Sequence, residues 1–302
     1  MALEVIEMYL ALDIGGTFVK YAYMDKDGKI YQQGKYATPT NNLETFCLEI
    51  EKVMPFECQG IAISSPGVID SDTGLIRVVT LLPCLNGINI KEVLEKRLNV
   101  PVSVENDAKC AALAEIWKGS LVGKPSALMM VLGSGIGGAV IIDGKLYKGP
   151  RSKAGELGSF ICDFDAKKAT GVSFGRKNSA VWLNKDIAKA LNLESDDGEL
   201  VFDYINQKEP TAWQIFKEYC NHIAMVIFNV DYVLDLDCVA IGGGISAQPI
   251  LLETIQKAFK DLRNRYKEDD HDPEIVICTF KNDANLIGAM AHFMNTYGIG
   301  LS

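Results

Sequence analysis

The chain has 302 residues, 48% hydrophobic and 23% charged, a length and composition that suit two ordinary folded domains and exclude a disordered or low-complexity protein. A formal charge of −9, with no stripe of Lys and Arg interleaved with aromatics, argues against nucleic acid or an anionic membrane as a partner. The N-terminus lacks the regions of a signal peptide and no stretch has the apolar length of a bilayer span, while eight scattered cysteines without a CxxC pair read as free thiols in a reducing cytoplasm.

In chain order, the apolar run at residues 8–12 predicts a strand entering Gly15, Gly16 and Thr17, then a second strand ending in Asp27-Gly28-Lys29. The same phrase recurs in the other half: residues 128–132 lead into Gly133, Ser134, Gly135, Gly137 and Gly138, and the next apolar run ends in Asp143-Gly144-Lys145. Glycines let backbone N–H groups approach an anion closely, and a turn of inward N–H groups makes a phosphate-binding concavity. One such turn in each half predicts a cleft that grips a nucleoside triphosphate from both sides.

Between the turns, apolar spacings of three and four predict a helix over 42–53. A buried strand over 59–64 ends at the turn Ser65-Pro66-Gly67, a short helix covers 90–98, and a strand over 102–104 ends at Glu105-Asn106-Asp107 before a small-residue helix over 108–118. Beyond the second glycine turn, residues 149–177 carry no regular pattern. Helices are expected over 179–191, 199–206 and 211–232, then a strand over 238–241 entering Gly242-Gly243-Gly244, a helix over 249–266, a strand over 275–278 and a final helix over 284–297. Alternating strands and helices in two similar halves indicate a duplicated α/β architecture, with a boundary in the Gly- and Pro-containing stretch 119–125.

Ligands of open α/β sheets sit beyond the carboxyl ends of strands, where Asp13 and Asp107 fall. Asp13 beside a phosphate turn is unfavourable without a divalent cation between them, so it is either a Mg²⁺ ligand, direct or through water, or a cap of its own turn. Asp107 is either the N-cap of the following helix or a general base that accepts a hydroxyl proton during phosphoryl transfer, with Asn106 beside it able to bind sugar hydroxyls. Three glycines at 242–244 suit a nucleobase or ribose lying on bare backbone. The run Gly133 to Gly138 fails the spacing of a dinucleotide fingerprint and is followed by a strand, and no Walker lysine motif is present. The three histidines, His222, His271 and His292, all lie away from the glycine turns, which disfavours histidine-based chemistry.

The ordered set LDIGGT, AISSPGVID, VENDAKCAALAE, VLGSGIGGAVIIDGK, AGELGS and VAIGGGIS resembles the ROK family (repressors, open reading frames, sugar kinases) of the actin-like ATPase superfamily over essentially the whole chain. The resemblance implies a duplicated actin-like ATPase (ribonuclease H-like) α/β fold with two domains flanking a nucleotide and sugar cleft. These are a small N-terminal domain, 1–118, joined by the C-terminal helix 284–302, and a larger domain, 119–283. It implies phosphorylation of a hexose at its 6-hydroxyl, dependent on ATP and Mg²⁺, in a cytoplasmic homodimer. Asp107 would be the catalytic base. Asp13, Gly15, Gly16, Thr17, Lys20, Gly133, Ser134, Gly135, Gly137 and Gly138 would face the phosphates, with Asp13 toward the metal, and Gly242, Gly243 and Gly244 the adenosine. Gly67, Asn86, Asn106, Asp107, Glu156 and Ser159 would line the sugar site.

Departures from the family pattern bear on the substrate. Family members usually carry a zinc module whose histidine and glutamate approach the anomeric end of the sugar. Here GELGS ends in Ser159 and the segment after it holds only Cys162, so no structural zinc is expected. The usual PNL appears as Pro83-Cys84-Leu85, which removes one asparagine contact, and Lys109 stands where the family often has asparagine. The zinc-free pattern resembles the β-glucoside kinase branch, in which an opened anomeric pocket would accept a substituent such as that of cellobiose. Glucose or N-acetylmannosamine as the substrate, a non-enzymatic sugar or nucleotide sensor, and a non-sugar member of the superfamily are the alternatives.

Overall fold

The structure is a computed structural model and describes residues 6–266 and 272–300. His271 lies outside the described residues. The chain begins with strands β1 (Met8–Ile14), β2 (Phe18–Met24) and β3 (Ile30–Ala37), helix α1 (Leu43–Lys52), and strands β4 (Cys58–Ser65), β5 (Val68–Asp70), β6 (Leu75–Val78) and β7 (Ile88–Asn89). Helix α2 (Ile90–Leu98), β8 (Val102–Asn106), α3 (Asp107–Lys118), β9 (Ala127–Leu132), β10 (Ile136–Ile142) and β11 (Lys145–Tyr147) follow. Then come β12 (Ile161–Asp165), β13 (Thr170–Ser173), α4 (Phe174–Asn178), α5 (Ala180–Ala190), α6 (Gly198–Asn206) and α7 (Pro210–Leu234). The last elements are β14 (Cys238–Gly242), α8 (Pro249–Tyr266), β15 (Glu274–Ile277) and α9 (Ala284–Tyr297).

The chain divides into two compact units. One holds the described residues through Val122, the segment Lys148–Lys153 and the residues from Asn282 onward; the other holds Gly123–Tyr147 and the described part of Ala154–Lys281. Each is built on a five-stranded sheet, in the order β3-β2-β1-β4-β8 in the first and β11-β10-β9-β14-β15 in the second. In both, three antiparallel strands joined by hairpins are extended by two parallel strands. The repeated glycine phrase is therefore the first hairpin of each of two copies of one sheet, the duplicated actin-like ATPase fold.

In the first unit, Leu10, Leu12, Ile61, Ile63, Val102 and Val104 form a fully buried core with Phe46 and Ile50 of α1 and Ile90 and Leu94 of α2. Helices α3 and α9 pack on each other, and α9 also packs on β1, β4 and β8. The small-residue sequence of α3 serves this contact: a Cβ on Gly288 would collide with the Cys110 carbonyl, so the backbones touch there. Buried side chains such as Leu286, Met290 and Phe293 of α9 each contribute roughly 1.5–3 kcal/mol by leaving water. The second unit buries Leu128, Met130, Val239 and Ile241 against apolar stripes of α5, α6, α7 and α8.

The fold adds two pieces that the sequence pattern does not reveal. Past the turn at Gly67, β5, β6 and β7 form a small three-stranded sheet. The stretch 149–177, irregular by sequence, contains the antiparallel hairpin β12-β13 and helix α4. Residues of β12 are exposed on both faces, so no period-two apolar pattern marks it.

Candidate active site

The carboxyl ends of β1, β4 and β8 lie side by side in the first unit, with Asp13 registered on Ser64 and Ser64 on Glu105. Between β1 and β2 the Gly15 N–H bonds to the Phe18 carbonyl at 3.0 Å, and Thr38 ties the turn from outside, its Oγ donating to the Gly15 carbonyl at 2.7 Å. Gly16 and Thr17 are exposed at the tip. Asp13 Oδ1 accepts from Asn285 Nδ2 at 2.9 Å and from Ser64 Oγ at 3.3 Å, while Lys20 Nζ stands 3.9 Å from Oδ2. Burial pushes the Asp13 carboxyl above its ordinary range, and the Asn285 amide, Lys20 and the Ser64 hydroxyl oppose that push.

The two readings of Asp107 separate at the β8–α3 junction. Helix α3 starts at Asp107 itself, and its N-cap is Asn106, whose Oδ1 accepts from the Lys109 N–H at 3.2 Å. Asn106 Nδ2 donates both to the Gly67 carbonyl at 3.0 Å and to Asp107 Oδ1 at 2.9 Å. That network uses both amide hydrogens of Asn106, so within this unit it acts as a brace for Asp107 and keeps only acceptor capacity toward a ligand. Gly67 supports the arrangement with φ +102°, and a Cβ there would collide with the Val78 carbonyl. Asn86 Oδ1 accepts from the Val79 N–H at 2.6 Å, so this side chain ties a loop of the same unit.

In the second unit the tip residues Ser134 and Gly135 are exposed, matching Gly16 and Thr17 in the first. The Gly133 N–H bonds to the Gly135 carbonyl at 3.0 Å, and the Gly133 carbonyl accepts from the Ala180 N–H at 2.9 Å, which draws the start of α5 to this turn. Gly243, at φ +93°, abuts the carbonyl of Leu132, leaving no room for a Cβ. The unit thus brings Gly133–Gly135, Gly242–Gly244 and the N-terminal end of α5 together. Bare backbone and a helix N-terminus are the groups that receive phosphate and a nucleotide. Gly137 and Gly138 lie in β10, where a Cβ on Gly138 would meet the Gly155 carbonyl at 2.6 Å, so the segment carrying Glu156 packs directly on that strand. Ser159 is exposed at the end of a short 3₁₀ turn, Leu157–Ser159.

Sequence reasoning missed Asn285 and Ser64 as partners of Asp13. The available signal for Asn285 was a polar residue at the second position of α9, directly before the apolar run Leu286-Ile287-Gly288-Ala289-Met290-Ala291. Among the described residues no group of three or more His, Cys, Asp or Glu side chains gathers to hold a metal. Magnesium does not need one, since it binds through one or two carboxylates with water and phosphate oxygens, and Asp13, with Oδ1 anchored by Asn285 and Ser64 and Oδ2 3.9 Å from Lys20 Nζ, fits that role. Among the described residues no helix is long and apolar enough to cross a membrane.

The ROK family model matches residues 9–295. The chain is 30% identical over 294 residues to the beta-glucoside kinase of Klebsiella pneumoniae, covering 95% of this chain and 96% of that protein. It is 27% identical over 312 residues to the glucokinase of Halalkalibacterium halodurans, covering 93% of each. Among solved structures it is similar to a ROK family protein from Streptococcus pneumoniae TIGR4 in complex with sucrose, with a TM-score of 0.87 and 28% identity over 96% of this chain and 99% of that one. With the duplicated sheet and both glycine turns inside the matched span, the chain belongs to the ROK family.

Proposed function

We propose that the chain, a carbohydrate kinase of the ROK family, transfers the γ-phosphoryl group of ATP to the 6-hydroxyl of a β-glucoside, with Asp107 as general base. The observation that carries this reading is the division of labour at the β8–α3 junction: Asn106 caps the helix at the Lys109 N–H, while Asp107 Oδ1 is oriented by the Asn106 amide and the Ala108 N–H. Asp107 would take the proton of the 6-hydroxyl as that oxygen bonds to the γ-phosphorus, the bond from phosphorus to the bridging oxygen breaks, and ADP leaves. Gly15, Gly16, Thr17 and Lys20 in one unit, and Gly133, Ser134 and Gly135 in the other, would bind the phosphates, with Gly242–Gly244 under the adenosine. Magnesium bound with the nucleotide supplies neutralisation of phosphate charge, and Asp13, held by Asn285 and Ser64, would bind it.

Two features support a glucoside over a free hexose. The Klebsiella pneumoniae relative is named for β-glucosides, and Ser159 with the exposed β12-β13 hairpin occupies the stretch where the family usually has its zinc module. The glucokinase among the relatives supports glucose as the second reading, and N-acetylmannosamine is the third. We infer a cytoplasmic homodimer from the family resemblance; light scattering tests the dimer by a mass twice that of the chain.

Coupled ADP release with ATP and Mg²⁺ across glucose, N-acetylmannosamine, fructose, mannose, cellobiose and an aryl β-glucoside tests the activity. Higher kcat/KM on the two β-glucosides than on glucose is the expected result. Activity confined to a free hexose would reverse the substrate reading, and silence on every sugar would replace the kinase by a sensor.

A further inference from the structure

Lys109 is almost completely buried, at 1% exposure, on the first turn of α3 just past Asp107. Lysine is rarely buried, because its ammonium must leave water and then find partners inside the protein. One partner is the backbone carbonyl of Ser152, which accepts from Lys109 Nζ at 2.9 Å. Ser152 has φ +56°, a left-handed conformation uncommon outside glycine, and closes a tight turn through its N–H to the Gly149 carbonyl at 3.2 Å.

A second lysine holds the same segment from the opposite direction. Lys148 Nζ donates to Ser71 Oγ at 2.7 Å and to Asp72 Oδ1 at 3.1 Å, and lies 3.8 Å from Oε2 of Glu105. Glu105 is fully buried, and its Oε1 accepts the Asn106 N–H at 2.8 Å. The segment Lys148–Lys153 therefore belongs to the first unit, although the chain before and after it belongs to the second. Lys109 reaches from the catalytic helix to the segment, and Lys148 reaches from the segment back to the catalytic strand.

We propose that Lys109 is a positioning residue for sugar binding: by fixing the Ser152 turn to α3 it holds the segment Lys148–Lys153 against the β8–α3 junction that carries Asn106 and Asp107. The inference rests on the kinase reading above. Lys109 touches neither transferred phosphoryl group nor nucleotide in this role, so its loss weakens sugar binding and leaves the nucleotide side unchanged.

Two readouts on Lys109→Met test it. Steady-state kinetics are expected to show the KM for the preferred sugar rising about tenfold or more, with kcat changed less than about threefold and the KM for ATP unchanged. Limited trypsin digestion is expected to cut after Arg151 and Lys153, both exposed, several times faster than in the wild type. If Lys109→Met is too unstable to assay, Lys148→Met releases the same segment from its other anchor and should give the same split between the two KM values. An unchanged sugar KM, or equal losses on sugar and ATP, overturns the inference even if trypsin cuts faster. A wild-type chain silent on every sugar overturns the kinase reading and the sugar role of Lys109 with it, whereas an active wild type with an unaltered variant overturns this inference alone.

Discussion

Asn106 Nδ2 donates to Asp107 Oδ1 at 2.9 Å while Asn106 Oδ1 accepts the Lys109 N–H at 3.2 Å, so one side chain caps helix α3 and braces the carboxylate beside it. Because the cap belongs to Asn106, and an amide at position 107 keeps an oxygen to accept the Ala108 N–H, Asp107→Asn should not unravel the helix. Asp107→Asn is expected to lose about 10²–10⁴ in kcat while keeping its melting temperature and ADP binding. Stopped-flow or coupled kinetics with a thermal melt check this, and near-normal turnover would assign the base to another group.

The brace can be tested apart from the base. Asn106→Ala removes the cap and the Asp107 donor together, and is expected to cost about 1 kcal/mol of stability and more than about tenfold in kcat. Asn106→Asp keeps an acceptor for the cap but puts a second carboxylate against the first. It should melt closer to the wild type than Asn106→Ala does, yet turn over no faster. Urea unfolding and kcat measured on the same samples separate the two effects.

The duplicated fold was legible in the sequence because its signals are local. The two glycine phrases, the three-and-four apolar spacing of α1 and the short amphipathic run of α2 each act over a few residues, and the observed elements begin and end close to where those signals stand. Strand β8 runs on through Glu105 and Asn106, and that register decides which of two adjacent polar residues caps α3. Spacing alone offers both. The strands β5, β6 and β7 are too short to show a period, and β12 has no buried face. Asn285 reaches Asp13 across almost the full length of the chain. Such long-range partners, like the hold of Lys109 on Ser152, come from tertiary packing and leave no mark in local pattern.

The Asn285 contact carries its own expectation. Asn285 Nδ2 favours the charged form of Asp13 against the burial that opposes it. Asn285→Ala should therefore weaken magnesium-dependent turnover, raising the Mg²⁺ concentration for half-maximal activity by about tenfold, the usual scale for a residue that orients a metal ligand. Titration of activity with Mg²⁺ at fixed ATP checks it. An unchanged midpoint would separate Asp13 from the metal.

The glycines of the second unit should divide by cause. A Cβ on Gly243 would collide with Leu132 at a backbone φ of +93°, whereas among the described residues nothing lies within 4 Å of a Cβ on Gly135. Gly243→Ala is expected to lose roughly 1–3 kcal/mol of stability. Gly135→Ala should keep its stability within about 0.5 kcal/mol and instead raise the KM for ATP. Comparing melts and ATP kinetics of the two variants distinguishes strain in the scaffold from obstruction of the phosphate turn. A Gly135→Ala enzyme with normal ATP kinetics would remove this turn from the nucleotide site.

His292 ties stability to pH. It lies buried in α9, and among the described residues its Nε2 has no hydrogen-bond partner. Burial pushes its imidazole below the ordinary range; the nearby carboxylates of Glu105 and Asp72 pull upward and Lys148 and Lys91 push down. The unfolded chain takes a proton at this histidine near pH 6.5, whereas the folded chain does so only at lower pH. Its contribution to stability is therefore complete above the unfolded value and is lost as pH falls from there through the depressed folded value. His222 is shifted in the same direction by burial, so the wild type alone does not isolate His292. Urea unfolding of wild type and His292→Gln at pH 7.5 and 5.5 does so: the wild type should lose more stability on acidification than the variant. Equal losses would mean that His292 is protonated in the folded protein as readily as in the unfolded chain, with Glu105 holding the charge.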